Sequence, residues 1–115
     1  FYLAFENLGV PDYVSEKAFE GYFAGSISVY RGAERVNHFM PSNDSFINAN
    51  GLTAPELATL LTRIGNDESE YNRYFEFKKR PLSPQFLSVA HMSYSHPNAA
   101  CRLCEIAHLY REGER

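Results

Sequence analysis

The sequence has no tryptophan, only two cysteines and no surplus of positive charge. Two cysteines are too few for a disulfide-dense small protein, and 11 basic against 14 acidic residues argue against a nucleic-acid partner. No apolar run approaches the roughly 18–20 residues that a membrane helix needs, and no stretch has the pattern of a secretory signal peptide. The 44% of hydrophobic and 15% of aromatic residues can still build the core of one globular domain, which excludes a disordered chain.

The first residue is Phe1 rather than Met, and the chain opens inside an apolar run at residues 1–5. A buried strand seldom opens a protein without a turn or a polar lead-in before it. We therefore expect these 115 residues to be a piece of a longer chain.

The order of the predicted elements is that of an α/β fold. Short apolar or alternating runs predict three strands, at residues 1–5, 26–30 and 45–48. Asp12 is placed to cap a helix that begins near Tyr13, and Gly25 is placed to end it. Short strands that alternate with helices favour a parallel sheet, which binds ligands beyond the carboxyl ends of its strands. We therefore expect a ligand site in the loop after the first strand and at the start of the helix.

The second half of the chain is predicted to be helical. Helix starts are indicated by Thr53 with Glu56, Asp67 with Glu70, Ser83 with Pro84, and Pro97 with Asn98. The first of these helices carries an apolar stripe and is predicted to end at Gly65, and the third to run to about Met92. The cations at residues 78–80 are expected at the C-terminal end of the second, where the helix dipole favours them.

Three side chains near the first predicted helix form the most informative pattern. Tyr13, Glu16 and Lys17 stand at i, i+3 and i+4, which would place them on one face of its first turn. Free N–H groups at a helix start attract anions, and a lysine adds a mobile charge for a phosphate. A carboxylate suits two sugar hydroxyls, and a tyrosine ring can pack on a base. Taken alone, the same pattern is also typical of a solvated helix face.

Cys101 and Cys104 leave three readings open: a disulfide, half of a zinc site, or a redox pair. Each cysteine could also pair with one elsewhere in a longer chain. Zinc needs about four ligands, and only three histidines lie near in sequence, namely His91, His96 and His108. A redox pair normally sits at a helix start beside a strand, which is not the predicted arrangement. We predict no metal site.

Two motifs in register resemble the donor-binding signature of the α-1,3-fucosyltransferases, glycosyltransferase family 10. Phe5-Glu6-Asn7 is followed, six residues after Asn7, by Tyr13-Val14-Ser15-Glu16-Lys17. The usual family form is Phe-Glu-Asn followed by Tyr-Val-Thr-Glu-Lys. The resemblance continues through Gly25, residues 28–30, Gly32, residues 45–47 and the eukaryotic, plant-like Cys-x-x-Cys at 101–104. Leu8, where Ser or Thr is usual, and Ser15, where Thr is usual, depart from the pattern.

This resemblance implies a fold and an organisation. The chain would be the Rossmann-like C-terminal half of a two-domain GT-B glycosyltransferase. Residues 1–80 would form the donor-binding region, and residues 81–115 a helical C-terminal extension with the Cys-x-x-Cys motif. The acceptor domain would precede this chain, and so would the single membrane anchor of a type II protein on the luminal side of the Golgi membrane.

The resemblance also implies an activity. The family transfers fucose from GDP-fucose to a hydroxyl of N-acetylglucosamine in a glycoprotein glycan, such as an N-glycan, with inversion and without a required cofactor. Two other functions stay open: transfer from another nucleotide sugar, and a non-catalytic nucleotide-sugar binding module.

Residue roles follow from the same resemblance. Lys17 would bind the diphosphate, Glu16 the ribose hydroxyls and Tyr13 the nucleoside, while Asn7 would lie near the fucose. Cys101 and Cys104 would form a disulfide in the oxidising secretory lumen. The general base would be a carboxylate of the acceptor domain, so we expect no catalytic residue in this chain and donor binding at most.

Overall fold

The structure is a computed structural model that describes residues 1–95 and 99–113, and their side chains except those of residues 90–95, 99–102, 105, 112 and 113. Three parallel strands form its sheet in the order β1-β2-β3, with β1 at Tyr2–Phe5, β2 at Ser28–Arg31 and β3 at Phe46–Asn48. In register, Leu3 lies opposite Val29, and Val29 opposite Ile47. The predicted α/β class with a parallel sheet is confirmed.

Five helices accompany the sheet in the described part of the chain. They are α1 at Lys17–Phe23, α2 at Ala54–Asn66, α3 at Glu68–Arg73, α4 at Pro84–Ser95 and α5 at Ala99–Gly113. Two short 3-10 turns lie at Val36–His38 and Glu76–Lys79. Among the helices the structure describes, none is both long and apolar enough to span a membrane.

The predicted start of α1 is wrong. The helix begins at Lys17, four residues after Tyr13, and Asp12 does not cap it. Asp12 instead adopts a left-handed backbone with φ 63°, in a turn where the Tyr13 N–H bonds to the Val10 carbonyl at 3.3 Å. The next residues are held by tertiary hydrogen bonds, described below, rather than by helical ones. Tyr13 therefore does not share a helical face with Glu16 and Lys17.

The helix ends agree with the sequence pattern at most positions. Gly25 ends α1 with φ 65°, and Thr53 with Glu56 forms the predicted capping box of α2. The prediction that Gly65 ends α2 is wrong, because the helix continues to Asn66. Asp67 ends it: its N–H bonds to the Ile64 carbonyl, and its side chain accepts from the N–H of Glu70 to begin α3, as predicted.

The prediction for the cations at residues 78–80 is also wrong. Helix α3 stops at Arg73, and the cations lie in and after a 3-10 turn, where each has its own partner. Lys78 lies over the Phe75 ring, Lys79 pairs with Glu76, and Arg80 makes two hydrogen bonds to Asp44.

Helix α4 begins as predicted. The Ser83 hydroxyl accepts a hydrogen bond from the Phe86 N–H at 3.1 Å, and Pro84 is the first helical residue. The helix runs to Ser95, slightly beyond the predicted end. Pro97 and Asn98, expected to open the last helix, lie outside the described residues.

Two apolar clusters cover the two faces of the sheet. Tyr30, Val36 and Met40 pack with Ala18 of α1 on one face. Ile27, Val29 and Ile47 pack with Ile64 of α2 on the other, together with the predicted stripe Leu57, Leu60 and Leu61. Because the three strands are parallel, their carboxyl ends lie at one shared edge of the sheet.

Candidate functional site

The candidate site lies at this carboxyl edge of the sheet. Each strand is followed there by polar groups or a tight turn: Glu6 and Asn7 after β1, Gly32 after β2, and Asn50 after β3. Crevices beyond the carboxyl ends of parallel strands are the usual ligand sites of α/β sheets.

The first feature of this edge is the Glu6 clamp, which we define as the pair of hydrogen bonds between Glu6 and Ser15. The Ser15 N–H donates to one carboxylate oxygen of Glu6 at 2.8 Å. The Ser15 hydroxyl donates to the other oxygen at 2.7 Å. Both residues are half-buried. The clamp ties the segment before α1 directly to the end of β1, nine positions earlier in the sequence.

Further hydrogen bonds connect the clamp to two of the predicted site residues, Lys17 and Asn7. The Ser15 oxygen accepts a long hydrogen bond from the Lys17 N–H, at 3.4 Å. The Lys17 ammonium then turns back and donates to the Asn7 amide oxygen at 3.1 Å. Asn7 is next to Glu6 in the sequence, so the series of hydrogen bonds from Glu6 through Ser15 and Lys17 to Asn7 is closed by the backbone between residues 6 and 7. The structure thus brings together Asn7 and Lys17, which are ten positions apart.

Gly32 leaves the space that the clamp needs. A Cβ atom at this residue would lie 2.5 Å from Cγ of Glu6 and 2.7 Å from the Tyr30 hydroxyl oxygen. Real Cβ atoms essentially never approach so closely, so any larger residue would displace Glu6 or Tyr30. Gly32 is therefore a requirement of this close approach.

Tyr30 anchors the same loop at a second point. Its buried hydroxyl accepts from the Ala33 N–H at 3.0 Å and donates to the Tyr13 carbonyl at 3.4 Å. Burial raises the pKa of this hydroxyl, with a smaller contribution from the nearby Glu6 carboxylate, which keeps it protonated as a donor.

The structure does not join the other two predicted residues to the Asn7–Lys17 pair. Tyr13 is 39% exposed and precedes the helix. Glu16 is the exposed residue just before α1, and its carbonyl accepts the N–H groups of Phe19 and Glu20. Within the described residues, no side-chain hydrogen bond connects Tyr13 or Glu16 to Asn7 or Lys17. Both remain beside the edge, with side chains open to solvent.

The sequence analysis assigns no role to two residues of the candidate site, Glu6 and Asn50. Glu6 stands inside the Phe5-Glu6-Asn7 motif, which could have marked it. Asn50 carried no signal at all. Its amide oxygen accepts the Gly32 N–H at 3.0 Å, while its amide nitrogen is buried and unpaired among the residues that the structure describes.

The cysteine prediction stays a prediction. Cys104 is exposed and has no disulfide partner among the described side chains, and the Cys101 side chain lies outside them. Across the described residues, no group of three histidine, cysteine or acidic side chains is arranged to hold a metal ion. His91 and His96 also fall outside the described side chains.

The fold is an α/β domain with a lysine and an amide at the carboxyl edge of its parallel sheet. The model of the family "Glycosyltransferase family 10 (fucosyltransferase) C-term" matches residues 1–115. The chain therefore belongs to this family of glycosyltransferases, and the resemblance found in the sequence is confirmed.

Several curated proteins are similar to this chain. The alpha-(1,4)-fucosyltransferase of Arabidopsis thaliana is 32% identical over 105 residues, which cover 91% of this chain and 26% of the relative. A 3-alpha-L-fucosyltransferase 9 of Mus musculus is 38% identical over 82 residues, or 69% of this chain and 23% of the relative. The GDP-fucose protein O-fucosyltransferase 3 of Homo sapiens is 37% identical over 92 residues, or 78% and 19%. The chain thus spans about a fifth to a quarter of the length of these relatives.

Proposed function

We propose that this chain is the donor-binding part of a fucosyltransferase that uses GDP-fucose. The observation that carries the proposal is the Asn7–Lys17 pair, which lies at the carboxyl edge of a parallel sheet in a family 10 chain. The printed name of the human relative also includes GDP-fucose as a donor.

Lys17 is the residue proposed for the diphosphate. Its ammonium has three N–H donors, and the bond to Asn7 uses one of them. When the bond between fucose and GDP breaks, negative charge grows on the phosphate oxygens of the leaving group. A cation held in place stabilises that charge most in the transition state, which lowers the barrier rather than only tightening substrate binding.

The remaining donor contacts are proposed for Glu16, Tyr13 and Asn7. The exposed Glu16 carboxylate can accept two hydrogen bonds from ribose hydroxyls. The half-open Tyr13 ring offers a face to the nucleoside. Asn7, next to Lys17, would lie near the fucose. Because Asn7 already orients the lysine, fucose and diphosphate contacts would be coupled through one pair of side chains.

The acceptor side of the reaction belongs to the proposal as well. We infer an N-acetylglucosamine hydroxyl of a glycoprotein glycan as acceptor, an α-1,3 linkage formed with inversion, and no required cofactor. The relatives' printed names differ at this point, since they include α-1,4, 3-α and protein O-fucosyltransferases. Relatives that transfer the same sugar to different acceptors are expected to share their donor-binding part, which supports the assignment of this chain to the donor.

The organisation and location are proposed on the same basis. Residues 1–80 would form the donor-binding region of a Rossmann-like GT-B half and residues 81–115 its helical extension. The general base would be a carboxylate of an acceptor domain. The whole protein would act on the luminal side of the Golgi membrane.

Calorimetric titration of the 115-residue chain with GDP, GDP-fucose and UDP-sugars tests this proposal. We expect binding of GDP and GDP-fucose and much weaker binding of every UDP-sugar. Selective binding of UDP-sugars would indicate a transferase that uses another nucleotide sugar instead of GDP-fucose. A full-length protein that contains this chain and binds GDP-fucose but never transfers it would indicate a non-catalytic module. No binding of any nucleotide would overturn the proposal.

A further inference from the structure

We propose that Glu6 is a positioning residue for the donor site: its carboxylate holds Ser15 and thereby sets where Lys17 meets the donor diphosphate. This inference rests on the proposed function, because it assumes that Lys17 binds a phosphate. It adds a residue that the resemblance to the family had assigned no role.

The argument begins with the segment that carries the site. Residues 8–12 form an exposed loop, and helical bonds begin only with the N–H groups after Ser15. Between β1 and α1, this segment is therefore fixed by side chains. Two hydrogen-bonded anchors hold it near its helical end: the Glu6 clamp on Ser15, and the Tyr30 hydroxyl on the Tyr13 carbonyl. Val14 also packs against the core, and Asp12 forms an exposed 3.6 Å pair with Arg35. The bond from the Tyr30 hydroxyl is long, at 3.4 Å, and holds Tyr13, four residues before Lys17. The bonds of the clamp are short, at 2.8 and 2.7 Å, and hold Ser15, two residues before Lys17.

The second step concerns the route from Glu6 to Lys17. The Ser15 hydroxyl donates its hydrogen to Glu6, so its oxygen stays free to accept the Lys17 N–H. Losing the carboxylate would let this hydroxyl rotate and release the backbone of Lys17. Hydrogen bonds to a charged acceptor are roughly twice as strong as neutral ones, so the clamp outweighs the 3.4 Å bond that it orients.

The third step concerns packing around the carboxylate. Glu6 Cγ lies so close to Gly32 that a Cβ on this glycine would be only 2.5 Å away. The Glu6 side chain therefore packs against the backbone just after β2 as well as bonding to Ser15. A side chain fixed on both sides transmits its position to its partners, which is the condition for a supporting group to orient a binding group.

The molecule contains a matched control for this clamp. At the start of α2, one carboxylate oxygen of Glu56 accepts both the Thr53 N–H at 2.8 Å and the Thr53 hydroxyl at 2.7 Å, the same two kinds of donor at the same distances. That pair begins a helix and is linked to no predicted site residue. Replacing either carboxylate by an amide weakens its bonds to the same two kinds of donor by removing the charge. Only Glu6 leads to Lys17.

The experiment compares wild type, Glu6→Gln, Ser15→Thr and Glu56→Gln, each titrated with GDP and with guanosine, with thermal unfolding followed in parallel. A glutamine offers one oxygen for two donors, so Glu6→Gln should weaken GDP binding about tenfold and leave guanosine binding nearly unchanged. Ser15→Thr keeps both donors and should bind GDP like wild type. Glu56→Gln should lower the unfolding temperature without changing GDP affinity.

An amide NMR spectrum provides a second readout. The Ser15 and Lys17 amide signals should shift in Glu6→Gln and stay close to wild type in Glu56→Gln. If Glu6→Gln does not fold, Gly32→Ala crowds the Glu6 side chain and the Tyr30 hydroxyl, the two groups that hold residues 13–15, without removing the Glu6 charge. It should lose GDP affinity in the same selective way.

The outcomes separate the two proposals. If wild type binds GDP and both Glu6→Gln and Gly32→Ala bind GDP with the wild-type affinity, the positioning role of Glu6 is overturned and the proposed function is not. Equal losses for GDP and guanosine would also overturn it, since they indicate general loosening of the fold. A wild-type chain that binds no GDP would overturn the proposed function and this inference together.

Discussion

Lys17 stands where the loop from β1 becomes α1, and its side chain turns back to the amide of Asn7. This return fixes a flexible four-carbon side chain whose conformational entropy would otherwise be lost on binding. Lys17 is half-buried as a residue, and its bond to Asn7 is exposed to solvent. Under the proposed function, this ordering would lower the entropic cost of binding a phosphate.

Replacing Lys17 by alanine should weaken GDP binding about ten- to a hundredfold, the range of a hydrogen bond to a charged group. Guanosine, which has no phosphate, should lose little. Calorimetry of both ligands on both proteins measures the difference. Lys79→Ala, which removes a lysine paired with Glu76 elsewhere on the surface, is the control and should bind both ligands as wild type does. If Lys17→Ala loses equal affinity for GDP and for guanosine, Lys17 does not bind the diphosphate.

Between elements, the Arg80–Asp44 ion pair connects parts of the chain that are 36 positions apart in sequence. Arg80, after the second 3-10 turn, makes two hydrogen bonds to Asp44, in the loop before β3, at 2.7 and 2.9 Å. Hydrogen bonds from Ser42 and from Arg80 hold the pKa of the Asp44 carboxyl below its ordinary value. A carboxyl whose pKa is lower in the folded state stabilises the fold when ionised, and this stabilisation disappears as the pH falls through the folded-state pKa.

We therefore expect Asp44→Asn to lower the free energy of unfolding at about pH 7 by at most about 1 kcal/mol, because the pair is largely exposed. The difference from wild type should shrink at about pH 3 and vanish below it, since Asp44 is then increasingly protonated in both states. Urea unfolding of both proteins at the two pH values checks this. Asp12→Asn, in a 3.6 Å exposed pair with Arg35, should change little at either pH. A difference for Asp44→Asn that grows in acid would contradict the assignment.

Helix α2 and helix α1 show why some elements were predictable and others were not. In α2 the capping box and the apolar stripe lie within a few residues of one another, so the sequence contains the whole signal. Before α1, the segment is held by Glu6, which follows β1, and it contains the left-handed turn at Asp12. A local pattern cannot report a hydrogen bond made across the edge of a sheet.

At the scale of the whole molecule, two apolar surfaces of the described chain stay open to solvent. One is on the edge strand β1, where Leu3 is 58% exposed. The other is on α5, where Leu103 and Tyr110 are 67% and 68% exposed. The chain also spans only about a fifth to a quarter of the length of its relatives. A transferase must hold donor and acceptor together, and the base that we propose for the acceptor lies outside these residues.

The isolated 115-residue chain should therefore bind GDP-fucose without transferring fucose. The measurement is release of GDP in the presence of N-acetylglucosamine-containing acceptors, with the complete mouse relative as positive control. Fucose transfer by the isolated chain would contradict this expectation and would place a base within it.

The sequence by itself determined the α/β class, the three strands, the capped helix α2 and the family, because these depend on periodicity, local caps and a motif in fixed register. It also predicted Lys17 as a site residue from its residue type and position, and Asn7 from the resemblance to the family. Only the tertiary structure decided that these two side chains meet, that α1 begins at Lys17, and that Glu6 is part of the site. The physical reason is distance along the chain: the clamp joins residues nine positions apart, and it needs both the end of β1 and the space above Gly32.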